Sequence, residues 1–359
     1  MASATALHLA GAPRTTELRL AAEPEDFEAL GLANEIWVRE DGRRTPRSSE
    51  HFEWWYFDGL LEDGTVLVVW FGDNWPYGTR RRAVNIELTE PGQPTRRIMR
   101  SFDDPGVFSA QQADVRIGPH HFEGDLRTYS IRVDADETGS VGCNLLLRRR
   151  VASYRPATGH LISRDRFFAW LVAVPEGAVA GTVSVDGMTR EVTGSGYHDH
   201  NWGNVSPADL FDNWWWGRGR CGPYTVIAAE IHGKAAVGGS SIPLFFVGDA
   251  QRMVVGAHGF DLSVSEGPPV PHPDPKHERP IGSRVSFAAI DGTRAEFRIS
   301  DRLLTSIDLL SIRSPAIKMA AAIMSKKPWY SRFASPMKLR ISGQPTREGE
   351  GTLEYFELK

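Results

Sequence analysis

From Glu53 onwards the chain runs in short apolar and aromatic segments separated by turn residues, the spacing of strands rather than of helices. Glu53–Leu60 and Thr65–Phe71 are the first two, with the favoured hairpin pair Asp63-Gly64 between them. Asp186-Gly187 and Asp291-Gly292 repeat the device between Val183–Val185 and Glu191–Thr193, and between Val285–Ile290 and Arg294–Ile299. Further strand-like runs are Val84–Leu88, Tyr129–Val133, Asn144–Leu147, Phe168–Val172, Tyr224–Ile231, Leu244–Val247, Met253–Ala257, Met337–Ile341 and Thr352–Glu357. Many short strands with turns between them predict an all-β sandwich or barrel. Three stretches depart from the pattern. The first 45 or so residues show little β character beyond a short helix over Asp26–Leu32. Pro268–Pro280 holds six prolines and reads as a long surface loop. Ile307–Met324 is apolar, alanine-rich and interrupted by Pro315, and it ends in Lys326-Lys327. It reads as a broken C-terminal helix closing a barrel mouth.

Composition narrows the class. The chain has 359 residues, 41% hydrophobic and 24% charged, enough for two domains with sizeable cores. The net charge of -4 gives no global sign of nucleic acid or of an anionic membrane as partner. The runs Arg80–Arg82 and Arg148–Arg150 lie beside strand-like segments and read as solvated edges. Cys143 and Cys221 make neither a disulfide framework nor a metal-ligand spacing, so a reduced thiol pair is expected. Met1–Leu20 lacks the basic start and apolar core of a signal peptide, and no apolar run approaches the roughly 18 residues of a membrane span. The expectation is a cytoplasmic protein with no integral membrane span.

Chemistry concentrates in three clusters: Glu53-Trp54-Trp55-Tyr56-Phe57-Asp58-Gly59, Gly196-Tyr197-His198-Asp199-His200-Asn201-Trp202-Gly203, and Trp214-Trp215-Trp216-Gly217-Arg218. On a strand, side chains alternate between faces. Glu53, Trp55 and Phe57 then share a face, and a carboxylate among aromatics is either paired, with an arginine across the barrel as the plain expectation, or raised in pKa. Tyr197, Asp199 and Asn201 share one face of the second cluster, His198, His200 and Trp202 the other. Asp199 and Asn201 could equally serve a turn network. His198-x-His200 suggests a metal pair, but no carboxylate follows at cupin-like spacing, and neither His232 nor His258 is fixed as a third ligand. No metal is expected. His120 and His121 are adjacent and receive no role. Trp214, Trp216 and Arg218 fall in one row, an aromatic wall ending in a cation, or plain barrel packing. No Gly-x-Gly-x-x-Gly fingerprint opens a helix after a strand, and no phosphate loop or Gly-x-Ser-x-Gly elbow is present.

The first two clusters carry a resemblance. Glu53–Gly59 followed by Gly196–Gly203 resembles the lipocalin-like carotenoid 1,2-hydratase (hydroxyneurosporene synthase) superfamily, which includes the Diels–Alder cyclases of decalin-forming pathways. The resemblance spans residues 45–359 and its sharp motifs about thirty positions. It implies two lipocalin-like domains, 45–210 and 211–359, after an extension over 1–44. It implies a lipophilic, unsaturated small-molecule substrate and no cofactor. Three functions follow in order. The first is a cofactor-independent cyclase, [4+2] on a polyene polyketide, with Tyr197, His198, Asn201 and Arg218 as donors to a dienophile carbonyl. The second is a hydratase or proton-initiated cyclase of an isoprenoid alkene with Asp199 as the acid, a reading against which His200 departs from the carotenoid hydratases. The third is a non-catalytic lipid carrier. In all three, Glu53, Trp55, Phe57, Trp202, Trp214 and Trp216 are expected to shape the cavity.

Overall fold

The computed structural model describes residues 16–46, 50–74, 79–310 and 328–358. They divide into two compact units, residues 20–206, and residues 207–358 with 16–19. The described chain is all-β, built of antiparallel sheets with a few short helices.

The first unit is one sheet in the order Arg96–Phe102, Arg82–Thr89, Val66–Asp73, Phe52–Leu61, Met188–Gly203, Arg166–Val185, Val141–Arg149, Thr128–Val133, His120–Gly124, Ala113–Ile117, Val107–Phe108. Along this path strands adjacent in space are adjacent in sequence, except that the first long strand pairs with the last and that the short strand His160–Ser163, itself paired with Arg166–Val185, intervenes after Val141–Arg149. A meander joined first-to-last is a barrel topology, with its seam between Phe102 and Val107. The sheet curls far enough to bring the Phe71 and Phe122 rings within 5.8 Å from well-separated strands. Alternation explains the core: Trp55, Phe57, Phe71, Ile86, Val115, Ile131 and Leu147 all point inward.

The three Asp-Gly pairs resolve into two turn classes. Asp186 and Gly187 both have positive φ, and Val185 pairs with Met188, a two-residue turn whose twist matches its strands. At Asp63-Gly64 and Asp291-Gly292 only the glycine has positive φ, and the loops close one residue longer, through Leu61 N–H to Thr65 O and Ala289 N–H to Thr293 O. Register breaks on both sides of Val174 in the long hairpin, where Pro175 has no N–H to give the ladder.

The N-terminal stretch is more than an appendage. The expected helix forms as Pro24–Leu30, ended by Gly31 in the left-handed region. A 3-10 turn, Val38–Asp41, follows, with Glu40 and Asp41 fully buried. The Trp55 indole donates to the Asp41 carbonyl at 2.8 Å, tying this turn to the inner face of the sheet.

The second unit repeats the arrangement: Met253–His258, Ser241–Gly248, Tyr224–Gly233, Phe211–Cys221, Arg347–Glu357, Trp329–Arg340, Arg294–Arg298, Arg284–Ala289, Leu262–Glu266. Again the first long strand pairs with the last. Trp215, Phe245, Phe287, Phe297, Phe333 and Leu353 form its core. One expectation is refined here and another corrected, since most of Pro268–Pro280 is exposed loop as expected. The proline-rich stretch is anchored, because Pro269–Val270 pairs with Ile281–Gly282 and both His272 and His277 are buried. His277 bonds Glu357 and His272 bonds Ser331, so the polar side chains among the prolines draw the loop inward. Ile307 and Asp308 lie in a strand, Leu303–Asp308, paired with Trp329–Arg340, and not in a helix. Strand pairing satisfies their backbone at once, whereas a helix would have had to break at Pro315. Residues 311–324 of the expected helix, and Lys326-Lys327, lie outside the described residues. Among the described residues no helix is long and apolar enough to cross a membrane. Cys143 and Cys221 are both free and buried, and burial raises their thiols to about 12 and about 11.

Candidate active site

The strand Met188–Gly203 sits between Phe52–Leu61 and Arg166–Val185, so the side chains of residues 197–202 are sorted between two faces of a continuous sheet. His198, His200 and Trp202 share the core face with Phe57, Trp55 and Glu53, their partners in register. Tyr197, Asp199 and Asn201 share the opposite face with Asp58, Tyr56 and Trp54.

On the core face two carboxylates hold two imidazoles. Glu53 accepts from His200 Nε2 at 2.8 Å, from the Arg44 N–H at 2.6 Å and from Thr45 through both its N–H and its hydroxyl. Burial pushes its pKa up, but these donors outweigh burial and hold it below the usual value. The expected arginine ion pair across the barrel is thus replaced by a histidine and a turn, with the half-buried Arg44 guanidinium acting on Glu53 only at longer range. Asp41 accepts from His198 Nε2 at 3.1 Å and from the Tyr129 hydroxyl. His198 Nδ1 meets the Tyr56 carbonyl at 2.8 Å, and a carbonyl can only accept. Nδ1 of His198 therefore donates, and with Asp41 ionised Nε2 donates as well, the arrangement of an imidazolium. Burial works against that charge, but Asp41 and the Tyr56 carbonyl raise the His198 pKa on balance. As an imidazolium His198 has no lone pair to offer a metal. His200 Nδ1 and Asp41 Oδ1 stand 3.6 Å apart and make no hydrogen bond to a described residue. Trp55 stacks on the His200 ring at 4.5 Å, and Trp202 packs at 4.7 Å. Trp55, Phe57 and Trp202 belong to the hydrophobic core of the first unit.

The opposite face is organised around Asp199. Its Oδ2 accepts from Trp170 Nε1 at 2.9 Å and from the Tyr197 hydroxyl at 2.8 Å, and its Oδ1 accepts from Asn201 Nδ2 at 2.9 Å. Asp199 is 8% exposed. Burial raises its pKa to about 6 although the three donors pull the other way. Aromatic rings surround the group. Tyr56 meets Tyr197 edge-on at 6.4 Å, Tyr154 meets Trp170 at 6.4 Å, and Trp54 packs against Phe52 and Phe168. Trp170 comes from 29 residues upstream of Asp199 and carries no motif of its own. Its place follows from register, since it pairs with Asn201 on the neighbouring strand. Asp58, buried and bonded by the Tyr56 hydroxyl at 3.2 Å, is a second carboxyl group on this face.

Trp214, Trp216 and Arg218 belong to the second unit, on one face of the strand Phe211–Cys221, while Trp215 turns into the core and donates to Glu266 at 2.9 Å. Trp214 stacks on Phe356 at 4.3 Å and 15°. In register beside Trp216 and Arg218 lie Glu354 and Thr352, and Glu354 faces Arg332 at 3.5 Å. The Arg332–Glu354 pair carried no motif in the sequence; strand alternation through Thr352–Glu357 was its one signal.

No family model matches the chain. It is 25% identical over 239 residues to the quinolone epoxide rearrangement protein asqO of Emericella nidulans, a match covering 58% of this chain and 62% of that protein. It is 25% identical over 207 residues to the hydroxyneurosporene dehydrogenase of Chlorobaculum tepidum, covering 46% and 53%. The matched segment thus spans less than two thirds of either relative. Among solved structures, CghA superposes with a TM-score of 0.59 at 14% identity over 89% of this chain and 94% of that one. Kievitone hydratase from Nectria haematococca gives 0.58 at 10% identity, over 90% and 93%. These structural matches speak to fold alone. The chain is thus similar in sequence to a quinolone epoxide rearrangement protein and a hydroxyneurosporene dehydrogenase, and it shares with CghA and kievitone hydratase a fold of near-closed antiparallel sheets.

Proposed function

We propose that this protein is an enzyme of natural-product biosynthesis that takes a lipophilic, unsaturated small molecule and starts its cyclisation, rearrangement or hydration by proton transfer from Asp199. One observation carries the reading: a buried carboxyl group raised to about 6, held by three donors on an aromatic face. A general acid works best when its pKa lies near the working pH. The Asp199 O–H bond breaks as the proton passes to an alkene carbon or an oxygen of the substrate. Positive charge then develops on the substrate, where ring faces such as Trp54, Tyr56 and Trp170 can stabilise it. Loss of a proton from a neighbouring carbon, or addition of water, ends the reaction. A rearrangement protein similar in sequence and a hydratase similar in fold are in keeping with such chemistry.

A [4+2] cyclisation would need donors aimed at a substrate carbonyl. Tyr197 and Asn201 direct theirs to Asp199, and His198 faces the core, which weighs for proton transfer over the pericyclic reading. The test is turnover of unsaturated polyketide and isoprenoid substrates in heavy water by the wild type and by Asp199→Asn. The expected result is deuterium at a product carbon and a loss on the order of 10²- to 10⁴-fold in the variant. Product free of solvent deuterium, with a loss of only about 10-fold, would return the assignment to a shape-driven [4+2] cyclase. Binding without product would make the protein a carrier.

A further inference from the structure

The core-face histidine and the opposite-face acid are consecutive residues, and the pairing partner of the acid links them. Asp199 lies opposite Tyr56 in register. The carbonyl of that same Tyr56 accepts the Nδ1–H of His198, whose Nε2–H is held by Asp41. Asp41 in turn is fixed by the Tyr129 hydroxyl and by the turn Val38–Asp41. We propose that Asp41, acting through the His198 imidazolium, is a positioning residue for Asp199: it fixes the backbone that Asp199 pairs with and keeps a positive charge directly behind the acid. This rests on the reading of Asp199 as the proton donor, but the coupling itself can be measured without substrate.

The charged and titratable surroundings are few. On the core side His198 meets Asp41 and Tyr129, with His200 and Glu53 beyond, and the apolar Phe122 ring packs at 4.7 Å. On the other side Asp199 meets Tyr197, with Tyr56 and Asp58 on the adjoining strand, and the neutral donors Trp170 and Asn201. His198 is thus the cation next to Asp199 on its own strand, and it favours the ionised carboxylate. Asp41 is the counter-charge that keeps a fully buried imidazole protonated. Removing the Asp41 charge leaves an unpaired buried cation, which sheds its proton. The field behind Asp199 then vanishes, and its pKa climbs.

The experiment is a titration of the whole protein, free of substrate, followed by NMR on carboxyl-labelled aspartate and ring-labelled histidine, with Asp199→Asn and His198→Gln assigning the signals. In the wild type His198 should show two protonated ring nitrogens at pH 7. In Asp41→Asn it should show one, and the Asp199 midpoint should rise by about one pH unit, the size expected for one nearby charge at intermediate dielectric. The alkaline limb of turnover should move up by the same amount, because the acid stays protonated longer. A neutral His198 in the wild type, or an unmoved Asp199 midpoint in a folded Asp41→Asn, overturns the proposal. If Asp41→Asn does not fold, the wild-type histidine signal decides alone. If the midpoint moves while Asp199→Asn retains full turnover, the coupling stands and the catalytic reading fails.

Discussion

Asp199 is held in a form that folding does not favour. An ordinary aspartate ionises with a pKa of 3.8, and burial lifts this one to about 6. Between those values the folded chain binds more protons than the unfolded one, so stability falls as pH rises through the window, and the deficit is complete above it. The shift corresponds to about 3 kcal/mol at most, since 1.36 kcal/mol accompanies each unit. Asparagine in its place has no charge to desolvate. Asp199→Asn should therefore be more stable than the wild type at pH 8, by up to about 3 kcal/mol, with the gain shrinking toward pH 4. Urea denaturation at the two pH values measures it; an equal or lower stability at pH 8 would show that the three donors already compensate the charge. Legibility at this scale was uneven. Strand alternation alone placed Tyr197, Asp199 and Asn201 in one row, opposite His198, His200 and Trp202. Trp170 was hidden because a register break lies beside it, so no count of residues predicts its neighbour. Asp41 was hidden because it sits on a 3-10 turn in a stretch without pattern.

At the level of elements, the Asp-Gly signals found all three hairpins, but loop length was set by backbone conformation that the pair does not encode. Glycines inside strands were harder to interpret. Gly194 pairs with Leu61, and a Cβ there would lie 2.4 Å from the Leu60 carbonyl oxygen and 2.8 Å from the Leu61 Cα. Neighbouring backbone cannot give way cheaply, so glycine is what lets the two strands that carry Glu53 and Asp199 close together. Gly194→Ala should cost about 1–3 kcal/mol, the range of an overpacked core. Gly187 is the control. Its φ of +82° needs a residue tolerant of the left-handed region, but nothing lies within 4 Å of its Cβ position. Gly187→Asn should cost less than about 1 kcal/mol. Thermal or denaturant unfolding of both variants gives the comparison, and equal costs would mean that close approach at Gly194 is not limiting.

Across the whole molecule the same plan appears in each unit, a meander whose first and last long strands pair. The all-β class followed from strand spacing, while this closure did not, because pairing between residues 52–61 and 188–203 leaves no local trace. On the two strands that close the first unit, Glu53 and His198 are buried groups with displaced pKa values, and both contribute to its response to pH. Glu53 has a folded pKa below its ordinary 4.5, so its contribution is present above that value and is lost as pH falls through the folded one. His198 has a folded pKa above its ordinary 6.5, so its contribution is full below 6.5 and is lost as pH rises through the raised value. These two groups therefore make stability fall at both extremes, with Asp199 working against the loss between about pH 6 and pH 4. Glu53→Gln keeps the shape but removes the charge that His200 and the Arg44 and Thr45 N–H groups converge on. At pH 7 it should cost about 3 kcal/mol, the lower end of the penalty for breaking a buried pair. Below pH 4.5 the wild type should converge on the variant as Glu53 takes up its proton. Denaturation curves for both proteins from pH 3 to pH 8 provide the measurement. A variant that keeps the full acid-side slope would assign acid unfolding to other carboxylates and leave Glu53 a purely geometric anchor.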